Sequence, residues 1–100
     1  MVPPGVTSVL ICGRGGRTIY SGYQALVAAL NALPTWPSTE SCTFVPGQSV
    51  PSYRLLFSYA QGPAVQVNID GHCSPQIDNL SLQSASARRI VPIIQRLISR

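Results

Sequence analysis

A chain of 100 residues, 45% hydrophobic and only 10% charged, is one small domain with a limited interior, and this composition excludes disorder, which needs low hydrophobicity and high charge. The net charge of +4 comes from seven arginines and no lysine, a basic balance too dilute to define a nucleic-acid binder. No apolar run approaches the length needed to cross a bilayer, and Met1-Val2-Pro3-Pro4-Gly5 has neither the basic start nor the apolar run of a signal peptide.

Residues 1–100 therefore read as a single α+β domain. Residues 1–5 read as an unstructured start, with Met1 opening a chain whose leader has been trimmed away. Val6 to Cys12 is β-branched and lies between a Pro-Gly stop and a glycine cluster, which predicts a first strand. Gly13-Arg14-Gly15-Gly16-Arg17 is expected to be a loop, because so many glycines are entropically costly inside an element. It lacks the spacing and the terminal Lys-Ser/Thr of a phosphate-binding P-loop, so it reads as a turn carrying two solvated arginines.

Ser21 and Gln24 fit a capping box, and Tyr23, Leu26, Val27, Leu30 and Leu33 repeat at helical spacing up to Pro34. Trp36-Pro37-Ser38 is expected to be an irregular connection. Thr43 to Ser52 holds two prolines and a glycine and reads as a stiffened exposed loop with a short edge strand near Cys42–Val45.

The strongest signal lies from Tyr53 to Cys73. Leu55, Phe57 and Tyr59 alternate with polar or outward positions, as do Val65, Val67 and Ile69, and Ala60-Gln61-Gly62-Pro63 supplies a turn. This predicts a β-hairpin with one apolar face, which two strands cannot bury alone. A further strand is expected across Ile77 to Gln83. A final helix capped by Ser84 or Ser86 follows, starting near Val91 with Pro92 in its first turn or kinking there. The expected layout is β-α-β-β-β-α, a two-layer sandwich in which two helices cover a small antiparallel sheet.

Cys42 precedes the hairpin and Cys73 terminates it, so a bridge between them would tie the preceding loop to the hairpin's far end. Closing a loop of about thirty residues contributes roughly 3.5 kcal/mol in the chain-entropy model. Cys12 is left over, to be a small buried hydrophobe, a partner for a cysteine elsewhere, or a reactive thiol. A Cys12–His72 nucleophile pair would need the two to meet, with Asp70 or Asp78 orienting the imidazole. Cys12 to Arg17 is one residue short of the Cys-x5-Arg loop of protein phosphatases. Glu40, Asp70 and Asp78 are the only carboxylic side chains and read as turn or surface residues. No metal-ligand spacing and no cofactor motif is present. Arg89, Arg96 and Arg100 form a stripe on the last helix that faces solvent or an anionic surface.

Two resemblances rest on these residues. The strand ending in Cys12, the helix with Leu-x3-Leu-Asn-Ala-Leu-Pro, Cys42 and the hairpin closing at Gly71-His72-Cys73 resemble small secreted or lipid-anchored envelope domains of high-GC Gram-positive bacteria. That likeness implies an extracytoplasmic compartment and the Cys42–Cys73 bridge, with no activity attached.

The chain also resembles subtilisin-inhibitor-like proteins, whose protease-binding loop begins at the first cysteine of such a pair. On that likeness Thr43, Phe44 and Val45 form the binding loop, with Phe44-Val45 as the reactive bond. It departs from that family in lacking a helix cysteine to bridge to Cys12, in having Pro46 just past the bond, and in ending on a helix. The sequence therefore reads first as a non-catalytic, secreted or envelope-associated domain that binds another protein or an envelope component. A serine-protease inhibitor acting through Phe44 is the second reading, and a thiol enzyme using Cys12 and His72 the third. The exposed edge of a small sheet also offers a pairing surface for a homodimer.

Overall fold

A computed structural model describes residues 1–39, 42–47 and 50–100. The chain is α+β, and among the described residues the strands pair antiparallel and there are two helices. In order, the elements are β1 (Val6–Cys12), β2 (Gly16–Ile19), α1 (Gln24–Ala32), β3 (Trp36–Pro37), β4 (Thr43–Phe44), β5 (Tyr53–Tyr59), β6 (Val65–Ile69), β7 (Cys73–Ser74), β8 (Ile77–Asp78), β9 (Leu82–Ser84) and α2 (Val91–Ile98). Seven strands form one sheet in the order β2-β1-β5-β6-β8-β9-β3, and β4 with β7 forms a separate two-stranded ribbon.

The expected hairpin is the middle of the large sheet. Leu55 faces Val67 and Tyr53 faces Ile69 across β5 and β6, and Gly62 turns the chain at a φ of 88°, where a side chain would be strained. On the other flank β1 pairs with β5, placing Val9 opposite Phe57 and Ile11 opposite Leu55. The period of two then collects Val9, Ile11, Leu55, Phe57, Val67, Ile69 and Ile77 into one buried cluster. Leu26 and Leu30 of α1 and Ile94 and Leu97 of α2 belong to the same cluster, so the helical stripes cover what the strands cannot bury.

Several local expectations are corrected. The glycine loop is shorter than predicted: only its first part turns, and Gly16 to Ile19 pairs with β1 as an edge strand, Ile19 opposite Val9. β-branched Thr18 and Ile19 carry that pairing. Trp36-Pro37 is no irregular connection but the opposite edge, paired with β9, where proline's missing donor faces outward harmlessly. The single strand expected over Ile77 to Gln83 is two strands around a tight turn. Asp78 Oδ1 accepts from the Leu80 amide, Asn79 Oδ1 accepts from Ser81 at 3.0 Å and Leu82 at 2.6 Å, and Leu80 adopts a φ of 76°. Adjacent Asp and Asn side chains that mimic backbone turns explain the reversal.

Neither helix uses the cap assigned to it. Tyr23, not Ser21, occupies the N-cap of α1 without a side-chain cap bond, and its hydroxyl donates instead to the Val6 carbonyl at 2.7 Å. Helix α2 starts at Val91 with Pro92 in its first turn, the unkinked alternative, because an early helical N–H has no carbonyl to meet. Ser84 is buried and donates to the Pro34 carbonyl at 2.8 Å, while Ser86 Oγ accepts from Arg88.

The first residues, expected to be loose, are anchored. Val2 is in the core, Asn31 Oδ1 accepts from the Met1 amino group at 2.9 Å and the Val2 amide at 2.7 Å, and Asn31 Nδ2 returns a bond to the Val2 carbonyl. One amide side chain thus satisfies three backbone groups.

Candidate functional site

The β4–β7 ribbon is built on the Cys42–Cys73 disulfide, whose Cα atoms are 5.0 Å apart. Thr43 pairs with Ser74 and Phe44 with Cys73, and the Val45 amide donates to the His72 carbonyl at 3.1 Å. The covalent tie and this short ladder replace the hydrophobic packing that so brief a ribbon cannot supply. Cys73 is buried, whereas Thr43 and Phe44 are exposed. Phe44 is 68% exposed, and its ring centroid lies 6.5 Å from that of His72 at a tilt of 31°. The structure thus brings together Thr43, Phe44, Val45, Cys42 and Cys73, and it adds His72, which the sequence reading placed with Cys12.

The turn that leads into the ribbon is tightly fixed. Gly71 is buried, its amide donates to Ser52 Oγ at 3.0 Å, and its carbonyl accepts from the Val50 amide at 3.3 Å and from Gln76 Nε2 at 3.3 Å. A Cβ at Gly71 would overlap the Val50 carbonyl, so this close approach admits only glycine. Gln76, also buried, accepts from the Ala87 amide at 2.7 Å through Oε1. It joins the ribbon's base to the segment that starts α2.

Beside the ribbon a cleft of about 900 Å³ runs between the β1–β2 turn, the Val50–Tyr53 segment, His72 and the end of α2 at Ile98. Arg14 and Arg17 stand on its rim. They were expected to be solvated turn residues, yet Arg17 is engaged: its Nη1 donates to the Ile98 carbonyl at 2.6 Å, meeting the negative end of a helix dipole.

The remaining candidates are scattered. Cys12 is half-buried and unbridged among the described residues. It alternates with Ile11, which is buried and borders the cleft with His72. Cys12 is consequently on the opposite face of β1 from Ile11. Asp70 accepts from the His72 backbone amide at 3.3 Å, through Oδ1, and its carboxylate lies with the sulfurs of Cys42 and Cys73 inside a 4.8 Å cluster. Both sulfurs are committed to the disulfide, so no thiolate is available there to bind a metal.

Asp78 serves the far edge of the sheet. Burial raises its pKa, but bonds from the Ser38 hydroxyl, the Leu80 amide and the Gln83 amide outweigh that and hold the carboxyl below its ordinary range. Glu40 lies outside the described residues.

The three arginines expected to form a stripe on the last helix are exposed, and only Arg96 lies within α2. Arg89 precedes α2, Arg96 Nε donates to the Pro92 carbonyl at 3.4 Å, and the Arg100 guanidinium covers Gly22, where a Cβ would clash with it. No helix among the described residues is long and apolar enough to cross a membrane.

Comparison with protein-family models, with curated proteins and with solved structures returned no match.

Proposed function

We propose that this chain is a non-catalytic domain that works outside the cytosol and binds another protein or an envelope component through the β4–β7 ribbon. The observation carrying this reading is Phe44, 68% exposed on a strand that starts at the residue after a disulfide cysteine. Exposed aromatics held in place are the residues on which interface energy concentrates. A loop already fixed by a covalent bond gives up little entropy on docking. The disulfide supports this compartment, since such bonds persist in oxidising surroundings, and the likeness to small envelope domains points the same way.

The test is site-specific photo-crosslinking in cells that make the protein, with the reactive side chain at position 44 and, as control, at position 80, whose native leucine is 73% exposed. A discrete adduct from position 44 alone is expected. Identical adducts from both positions, or none from position 44, would overturn the reading.

One observation favours protease inhibition as the second reading. Phe44 is extended within β4 and the Val45 amide is bonded to His72, so the Phe44–Val45 peptide is restrained on both sides, as a slowly cleaved reactive bond requires. Titration of subtilisin and chymotrypsin decides it. Stoichiometric inhibition abolished by Phe44→Asp establishes the inhibitor, and unaffected proteolysis removes it.

A further inference from the structure

The cleft next to the ribbon combines an apolar floor with a basic rim. Ile11, Val50, Tyr53 and Ile98 supply the floor. The Tyr53 ring lies directly beneath the β1–β2 turn, where a Cβ at Gly13 would come within 3.0 Å of its Cε1. Arg14, Arg17 and His72 supply the rim, and no carboxylate is among the described residues that line it. Asp70, the closest in sequence, is turned to the His72 backbone amide. Arg14 has no hydrogen-bond or ion-pair partner among the described residues. Arg17 spends one donor on Ile98, which fixes its guanidinium without neutralising it.

The walls are also preorganised. Ser52 and Val50 are tied to Gly71, and the turn is closed by the Gly13 amide donating to the Gly15 carbonyl at 2.9 Å. At Gly15 a Cβ would meet nothing within 4 Å, so the crest of the turn is open to an incoming group. Uncompensated positive charge over a shaped apolar surface selects a ligand with the complementary make-up. About 900 Å³ accommodates a ring-sized molecule.

We propose that this cleft binds a small organic anion, its apolar ring against Tyr53 and Ile98 and its carboxylate or phosphate against Arg14, Arg17 and His72. The site is separate from the Phe44 surface, although His72 borders both.

The test is amide NMR of the intact, oxidised protein titrated with phenyl phosphate and with benzoate, against inorganic phosphate and benzylamine as controls. Saturable shifts at Gly13, Gly15, Gly16 and His72 are expected with one or both aromatic anions, and the tighter of the two names the preferred head group. Arg14→Gln, which breaks no bond of the fold, should weaken that binding at least fivefold, and Phe44→Ala, which adds no charge beside His72, should leave it within twofold. Equal binding of inorganic phosphate would reduce the site to a charge patch and overturn the proposal. So would equal binding of benzylamine, an unchanged affinity in Arg14→Gln, or no saturation into the millimolar range. Because the Phe44 variant reads the ribbon and the Arg14 variant reads the cleft, failure of one proposal is distinguishable from failure of the other.

Discussion

The seven-stranded sheet and the two-stranded ribbon solve the same problem by opposite means. In the sheet, β1, β2, β5, β6 and β8 give apolar side chains to a shared interior, and fully buried Leu55, Phe57, Val67 and Ile77 hold it by removal of apolar surface from water. The ribbon has two residues per strand and an exposed aromatic at its tip. It is held by one disulfide, a few backbone bonds and the buried amide of Gln76. A hydrophobic anchor would have required Phe44 to turn inward; a covalent one leaves it facing solvent. The contrast explains how a small domain presents an aromatic side chain without giving up a defined shape.

Breaking the sheet should have the largest effect. Phe57→Ala removes the largest fully buried side chain and should destabilise the protein by about 3–5 kcal/mol in urea unfolding. Reducing the disulfide, which spans 31 residues, should cost roughly 3.5 kcal/mol. Hydrogen exchange separates these two: reduction should strip protection first from the Val45 and Val50 amides while β5 keeps its own, whereas Phe57→Ala should weaken β1, β5 and β6 together.

Gln76→Leu should destabilise by about 2 kcal/mol, since it leaves the Ala87 amide without its acceptor. That loss should be similar with the disulfide intact or reduced if the amide holds the ribbon's base independently.

The smallest effect concerns the sheet's far edge. Because the folded-state pKa of Asp78 lies below the unfolded value of about 3.9, its contribution is present above that pH and is lost as pH falls through the folded value. Thermal melts from neutral to strongly acidic pH should show a shallower acid decline in Asp78→Asn than in the native protein.

What could be read from the residues was what periodicity and covalent spacing govern. The hairpin of β5 and β6, the first strand, the stripe of α1 and the Cys42–Cys73 bridge all follow from side chains whose burial or bonding is dictated within a short stretch. The errors fall where a local signal competes with a distant partner. Ser21 has the chemistry of a cap, but Gly22 at a φ of 79° and the Tyr23 bond to Val6 set the entry to α1 instead. Trp36-Pro37 has no strand signature of its own and becomes one only because β9 offers an edge. The Asp78-Asn79 pair was a readable turn signal overshadowed by the alternation of Leu80 and Leu82.

At the candidate sites, an exposed Phe44 beside a disulfide was foreseeable. The cleft was not, because it joins Arg17 to Ile98 across 81 positions and rests on a glycine at 71 that only the approach of Val50 makes necessary.

The pairing of β1 with β5, Val9 opposite Phe57, has a temporal side. β1 can find its local neighbour β2 at once, but its other edge stays unpaired until a segment more than forty residues later arrives. Long-range strand pairing of this kind slows folding. Synthesis from the N-terminus therefore leaves that backbone edge open for as long as the ribosome needs to deliver β5, and it is in this interval, more than in the finished molecule, that the strand is exposed to pairing with another chain.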